Sequence, residues 1–255
     1  MPVHEVAAAG FDKGAEIYER ARPSYPPEAV AWLVEHLQIG SGTRVADIAA
    51  GTGKLTRLLT PFEPDIFGVE PVAGMRSGFV AMCPGVPLVS ATAEQLPLAG
   101  SSLDAITVAQ GFHWFDAPVA LTEFARVLRP NGRLGLIWNA RDRSNDLVEQ
   151  LWSIMDRVEK RAPWRAHDEW KDSAFVEHPD FGALHEATFH HEQVLTREQV
   201  LGRFRSVSHI AVLPPVEQEA VIDELRHVLD THPLAVGHEH VTIPYRVDAY
   251  WCERR

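Results

Sequence analysis

Glycines 51 and 53 lie in the run ValAlaAspIleAlaAlaGlyThrGlyLysLeuThr, residues 45 to 56, where an apolar strand-like segment gives way to a helix-like one. Small residues at such a passage let a ligand lie against the backbone at a helix N-terminus. An acid, Glu70, closes the next apolar segment 19 positions beyond Gly51. At that distance a carboxylate in a doubly wound sheet accepts both hydroxyls of a ribose, so the pair predicts a nucleoside-containing ligand. A phosphate-binding P-loop is excluded, because Ile48 stands where its first glycine is required and Leu55 follows Lys54 in place of Ser or Thr. A dinucleotide fingerprint has Thr56 where its third glycine belongs, and an oxidoreductase using NAD or NADP stays open on that count. So does a tight strand-to-helix turn with no ligand.

Further along, PheHisTrpPhe (112 to 115) and AsnAlaArgAspArg (139 to 143) each follow a predicted strand directly. Both therefore belong to the edge of the sheet that carries the glycine turn. His113 titrates near neutral pH and is a candidate general base, whereas Phe112 and Phe115 are expected to plug the core. Arg141 and Arg143 form a pair of guanidiniums suited to a carboxylate, with a solvated loop bridging to Asp142 and Asp146 as the equal alternative. Arg20, Arg22 and Tyr25 precede the sheet on a segment that can close over the site and exclude water. His190 with His191, and His238 with His240, lack a third ligand of fixed spacing, so no metal is expected and they read as surface histidines. Lys54 reads as a solvent-facing helix residue, and Trp152, Trp164 and Trp170 as core of a helical cap.

The elements that must position these residues follow from the pattern of apolar runs. Strands are predicted at Thr43 to Ile48, Asp65 to Glu70, Val86 to Ser90, Leu103 to Gln110 and Arg133 to Trp138. Most are continuously apolar, as in a parallel sheet covered on both faces. Asp116 is expected to cap the helix before the fifth strand, with Pro118 in its first turn, and the turn ArgProAsnGly (129 to 132) to end it. Helices are expected at Ala7 to Glu19 and Pro27 to Leu37, separated by the prolines of ARPSYPP. After Asn139, helices are expected at Leu147 to Lys160, Arg197 to Ser206 and Val216 to Leu229. A strand is expected near Leu184 to Leu195, and the alternation of VTIPYRVDAYW marks a last one. The fold expected is α/β: a doubly wound, mostly parallel sheet of seven strands whose last two form an antiparallel edge. Residues 1–40 form a helical flap, 41–140 the ligand-binding core, and 141–255 a helical cap insertion with the last two strands.

With 24 basic against 35 acidic side chains the net charge is −11, which argues against nucleic acid as a partner. Cys83 and Cys252 have no close-spaced partner for a redox or zinc motif. The opening MPVHEVAAAGFDKG has the wrong charges for a signal peptide, and no apolar run approaches the ~20 residues of a membrane span. A cytoplasmic protein acting on a small molecule, without a membrane, is expected.

In the order of its motifs the chain resembles the class I S-adenosylmethionine-dependent methyltransferases, in the small-molecule branch similar to trans-aconitate methyltransferase. The matching pieces are AspIleAlaAlaGlyThrGly (47 to 53), GlyValGluPro (68 to 71), AlaThrAlaGluGlnLeuProLeu (91 to 98), AlaGlnGlyPheHisTrpPhe (109 to 115) and ArgValLeuArgProAsnGlyArgLeu (126 to 134), with TyrGluArgAlaArgProSerTyrPro in the flap. The resemblance implies S-adenosylmethionine as cofactor, S-adenosylhomocysteine as product, and a small acceptor, a carboxylate being one candidate. It implies that Asp47 and the backbone of Ala49, Gly51 and Gly53 hold the methionine portion and Glu70 the ribose. Pro71 and Met75 would border the adenine, Thr92, Ala93 and Glu94 would meet its amino group, and Gln110 and Gly111 would lie beside the reacting methyl. On the acceptor side the candidates are Tyr18, Arg22, Tyr25, Trp114, Arg141 and Arg143, with His113 as the candidate base and Trp114 or Phe112 as an aromatic face beside the sulfonium. Ala49 stands where the family usually has glycine, and Thr92 where it often has aspartate. A protein that binds the cofactor without turnover is the non-enzymatic alternative.

Overall fold

The computed structural model describes residues 22–159, 178–205 and 207–255. The predicted helix at Ala7 to Glu19 and the candidates Tyr18, Arg20, Trp164 and Trp170 lie outside them. In chain order the elements are α1 (Pro27–His36), β1 (Arg44–Ile48), α2 (Lys54–Leu59), β2 (Asp65–Val69), α3 (Ala73–Met82), β3 (Leu88–Val89), β4 (Leu103–Ala109), α4 (Ala117–Val127) and β5 (Leu128–Arg141). The cap follows as α5 (Asp146–Glu159), β6 (His185–Thr196), α6 (Arg197–Arg205), α7 (Ser208–Ala211), α8 (Pro215–Thr231) and β7 (His240–Glu253).

The seven strands form one sheet in the order β3-β2-β1-β4-β5-β7-β6. β1 pairs in parallel with both β2 and β4, so strand order reverses there and the ends of β1 and β4 diverge into a crevice, the place where open α/β sheets bind ligands. β7 runs antiparallel to both β5 and β6. The edge strand β6 therefore points the same way as β1 to β5, and of the two strands expected to form an antiparallel edge only β7 is reversed.

Alternation along the strands assigns side chains to the two faces. Ala46, Ile48, Leu134, Leu136 and Trp138 pack with Phe112, Leu121 and Phe124 on one face. Val45, Ile137, Val247 and Ala249 pack on the other, against Leu33 of α1 and Leu55 and Leu59 of α2. A further cluster joins α5, α6 and α8 through Leu151, Trp152, Phe204, Ile222 and Leu225, and reaches the sheet through Leu195, Val241, Ile243 and Tyr245. The cap thus has a cluster of its own, joined to the sheet through β6 and β7. Among the described residues no helix is long and apolar enough to cross a membrane.

Two local expectations are corrected. Asp116 occupies the N-cap of α4 but its side chain makes no capping bond; Glu94 reaches over and accepts from the Asp116 N–H at 3.0 Å. Residues 129 to 132 do not form a free turn but begin β5, where the register shifts between Leu103/Leu128 and Ala105/Arg133. Asn131, at φ 63°, bulges there and donates its N–H to the carbonyl of Arg254, while the Arg254 N–H returns to Gly132. Pairing with Arg254 draws the turn expected after the helix into the ladder.

Gly53 is also moved from its expected role. It caps α2 at φ 81°, and a Cβ there would lie 2.2 Å from the Cys83 sulfur and 3.0 Å from Phe79. The residue lets α2 pack on α3; it does not face the crevice. Gly53→Ala is therefore expected to destabilise by about 1–3 kcal/mol through overpacking and left-handed strain, lowering the melting temperature. Adding Cys83→Ala, which removes the sulfur, should recover part of the loss in thermal unfolding; no recovery would mean that strain alone is responsible.

Candidate functional site

β1 ends in a buried aspartate. Asp47 shares its face with its register partner Thr107 and sits beneath α2, so its carboxylate accepts from Thr107 Oγ1 at 2.9 Å and Thr56 Oγ1 at 2.5 Å. Thr56, where a dinucleotide fingerprint has glycine, thereby anchors the aspartate. Asp47 is expected from the sequence to touch the ligand, but the structure places it under the turn, where it shapes the backbone above.

That backbone runs left-handed at Ala49 (φ 54°) and Gly51 (φ 58°), and Gln110 opposite is left-handed as well (φ 58°). Such conformations cost a non-glycine residue energy and collect at functional sites. At Gly51 a Cβ would meet nothing within 4 Å, although the residue lines the crevice, so the space a side chain would fill lies open to a ligand. Gly111 packs against Ala49 instead, its would-be Cβ 3.0 Å from the alanine methyl.

Glu70 follows β2 and is 5 % exposed. Its two carboxylate oxygens accept from the Gly51 N–H at 2.9 Å and the Val72 N–H at 2.8 Å, which fixes the carboxylate against the glycine turn with acceptor capacity left for two hydroxyls. Burial raises its pKa above the ordinary glutamate value, while those two N–H groups and then the Arg76 charge oppose the shift. Arg76 donates to the carbonyls of Pro71 at 2.6 Å and Glu70 at 3.2 Å, and so holds the loop. The Ala50 and Gly53 N–H groups are also engaged within the turn region, by Val69 and Ala50. Carbonyl oxygens and close backbone approach are what the turn offers a ligand, which suits a cation such as an ammonium.

The crevice is walled by Arg22, Pro23 and Tyr25 from the flap, Ala49 to Thr52, Lys54 and Leu55 from the turn and α2, Ala109 and Gln110 after β4, Asn139 on β5 and Arg203 on α6. Arg22, Tyr25, Ala49, Gly51 and Gln110 among the sequence candidates meet there. Lys54 is corrected from a solvent-facing residue to a wall residue. Arg203, 6 % exposed, is a wall residue that the sequence did not single out, since one arginine in a helix of a distant insertion carries no spacing signal. None of these wall residues is acidic, and three are cationic.

Other candidates are placed away from this wall. Arg143 is turned onto α5, where Glu149 accepts at 2.6 Å and Asp156 at 2.8 Å, and the pair with Arg141 as a clamp is not formed. The Arg141 guanidinium lies over the Trp152 ring at 5.4 Å. His113 and Trp114 sit in the short 3₁₀ turn Phe112–Trp114 with their rings 4.9 Å apart. Phe112 is buried in the core, as expected. Met75 and Ala93 are buried, Pro71 and Thr92 half-buried, along the β2 and β3 side. His191 is corrected from a surface histidine: its Nε2 lies 2.8 Å from Asn139 Oδ1, one step behind the crevice wall. No group of three or more metal-ligating side chains occurs among the described residues.

The profile of the methyltransferase domain family matches residues 46–136 of this chain. An uncharacterized methyltransferase of Mycobacterium tuberculosis is 35% identical over 235 residues, covering 92% of this chain and 91% of the relative. Among solved structures, a candidate methyltransferase from an antibiotic biosynthesis pathway of Anabaena variabilis superposes with TM-score 0.66 at 19% identity, covering 90% of this chain and 98% of its own. A phosphoethanolamine methyltransferase of Haemonchus contortus, solved with phosphomonomethylethanolamine and S-adenosylhomocysteine, gives TM-score 0.58 at 14% identity, covering 95% of this chain and 57% of its own.

The acid–base state of Asp47 is testable on the protein alone. Burial pushes its pKa up to about 6, against the opposing hydrogen bonds from Thr56 and Thr107. A carboxyl whose folded pKa lies above its unfolded value of about 3.9 costs stability as pH rises through that interval, and the cost is complete above it. Two units correspond to about 3 kcal/mol. Asp47→Asn is expected to be more stable than the parent at pH 7.5 in urea unfolding, with the difference shrinking toward zero as pH approaches 4. A constant difference across that range would remove the buried charge as its cause.

Proposed function

This chain belongs to the class I methyltransferases, and from that membership we propose that it carries a methyl group from S-adenosylmethionine to a small organic acid. The observation that carries the reading is the cradle at Gly51, open on its Cβ side and backed by the carboxylate of Glu70. Glu70 would accept the ribose hydroxyls, the carbonyls of the turn would face the methionine ammonium, and Met75, Thr92, Ala93 and Glu94 would border the adenine. One Glu94 oxygen accepts from the Asp116 N–H, which leaves the other for the adenine amino group. When bound, S-adenosylmethionine supplies a methyl on a sulfonium, which leaves its electron pair on sulfur as the acceptor attacks.

Three cations in the wall favour anions. Arg22 and Lys54, beside the flap and the turn, suit the cofactor's own carboxylate. Arg203, carried in by the insertion, suits a carboxylate of the acceptor, in the place first given to Arg141 and Arg143. An acceptor carboxylate is its own nucleophile, so this chain's part is positioning, which can supply ~7–11 kcal/mol of the barrier. His113 is then dispensable as a base. This substrate class also agrees with the resemblance to the trans-aconitate methyltransferase branch.

Calorimetry with S-adenosylhomocysteine tests the cofactor. Glu70→Ala should weaken binding at least tenfold, since each hydrogen bond to a charged group contributes ~1.5–3 kcal/mol, and Gly51→Val should abolish it; parental affinity in both would sink the assignment. For the acceptor, labelled methyl transfer is measured over a panel of di- and tricarboxylic acids, phenols and amines. An acid should be methylated, Arg203→Leu should raise its KM at least tenfold with cofactor affinity within twofold, and His113→Ala should lower kcat only modestly. Methylation of a phenol or amine, lost in His113→Ala and indifferent to Arg203, would replace the acid and make His113 the base. Cofactor binding with no turnover across the panel would favour a non-catalytic binding protein.

A further inference from the structure

Asn139 on β5 joins three segments around the crevice: the flap, the end of β4 and the edge strand β6. Its side-chain Nδ2 donates to the Ser24 carbonyl of the flap at 3.2 Å. Its Oδ1 meets His191 Nε2 on β6 at 2.8 Å, and its own carbonyl accepts from Gln110 Nε2 at 3.4 Å after β4. The direction of the amide follows from chemistry, because a backbone carbonyl only accepts and the NH2 group must face Ser24. The oxygen is left toward β6, and since it too only accepts, His191 must carry its proton on Nε2.

His191 is held for that task. Its ring stacks on Tyr245 at 5.4 Å and 26° between planes, and Tyr245 is 1 % exposed in the cap cluster. His191 pairs in register with Tyr245, and Tyr245 with Arg141, two residues along β5 from Asn139. The ring thus reaches diagonally across β7 to the amide. Burial keeps the imidazole below its ordinary pKa, so it is neutral near pH 7 and its tautomer is decided by hydrogen bonding.

We infer that His191 is a positioning residue: as the Nε2–H tautomer it orients the Asn139 amide, whose NH2 group then holds the flap at Ser24 over the crevice. The cap and the flap are thereby coupled through one side chain. The function of the coupling, retention of the cofactor, rests on the reading of the crevice as an S-adenosylmethionine site.

Replacements of similar size separate this role from packing. His191→Gln keeps an N–H donor toward Asn139 Oδ1. His191→Glu presents only acceptors near neutral pH, which favours rotating the amide so that its oxygen faces the Ser24 carbonyl. Nitrogen-15 NMR of the imidazoles should show His191 neutral with its proton on Nε2; a proton on Nδ1 would overturn the inference. Hydrogen exchange of residues 24–33 in the protein alone should be about threefold to tenfold faster in His191→Glu and Asn139→Ala, the loss expected for one hydrogen bond, and near the parent in His191→Gln. The dissociation rate of S-adenosylhomocysteine, by stopped-flow fluorescence, should rise in the same pattern. Equal behaviour of the Gln and Glu variants, in either direction, would mean that donor chemistry is not what matters and would overturn it. If the parent fails to bind S-adenosylhomocysteine, the cofactor reading falls, and exchange and NMR still decide the hydrogen-bond relay.

Discussion

Two carboxylates are carried into the interior at the point where strand order reverses, and satisfying them dictates the local backbone. Asp47 is met by hydroxyls from α2 and β4, and Glu70 by amides from the glycine turn and its own loop. A buried carboxylate without partners would neutralise or unfold the site. The turn from β1 to α2 therefore curls around Glu70 through the Gly51 N–H, and the left-handed conformations at Ala49 and Gly51 follow from that curl. The strain is tolerated because both strand ends are clamped where β1 and β2 are buried. Anything that binds in the crevice meets a surface preorganised by these charges before it arrives.

The crevice is assembled from segments remote in sequence: a flap ahead of the sheet, the β1 and β4 ends, β5, and the distant helix α6. Such assembly suits a transfer reaction. On the proposed reading, the core would supply the grip on the cofactor, while flap and insertion would supply the half facing the acceptor, on elements that lie apart from the Asp47 and Glu70 framework. That division also explains why α6 and β6, which lie in the cap, contribute Arg203 to the wall and His191 just behind it.

Much of the framework was legible in the residues. The apolar runs located β1 to β5, the alternation in VTIPYRVDAYW located β7, and Gly51 with Glu70 located the cradle, because each rests on local spacing that one strand or turn enforces. What misled were properties decided by partners. Gly53 resembles Gly51 in sequence, yet its missing side chain serves Cys83 and Phe79, thirty residues on. Arg143 sits beside Arg141 in the chain, but Glu149 and Asp156 on α5 take it away. The residues 129 to 132 read as a turn until Arg254 pairs with them. Arg203 gave no signal, and His191 drew notice only as half of a histidine pair, since a lone arginine or histidine acquires meaning only from what the fold sets beside it.

The charge of the crevice runs against that of the molecule. In a chain of net −11, the described residues that wall the crevice include three cations and no acid. Arg22, Lys54 and Arg203 each already make an interaction of their own, so what they offer a ligand is an exchange of partners; on the proposed reading, the carboxylates of cofactor and acceptor make that exchange. The acidic exterior screens none of this at short range, but it discourages polyanions from reaching the cleft. On the proposed reading, the same charge pattern would favour small acids over polyanions.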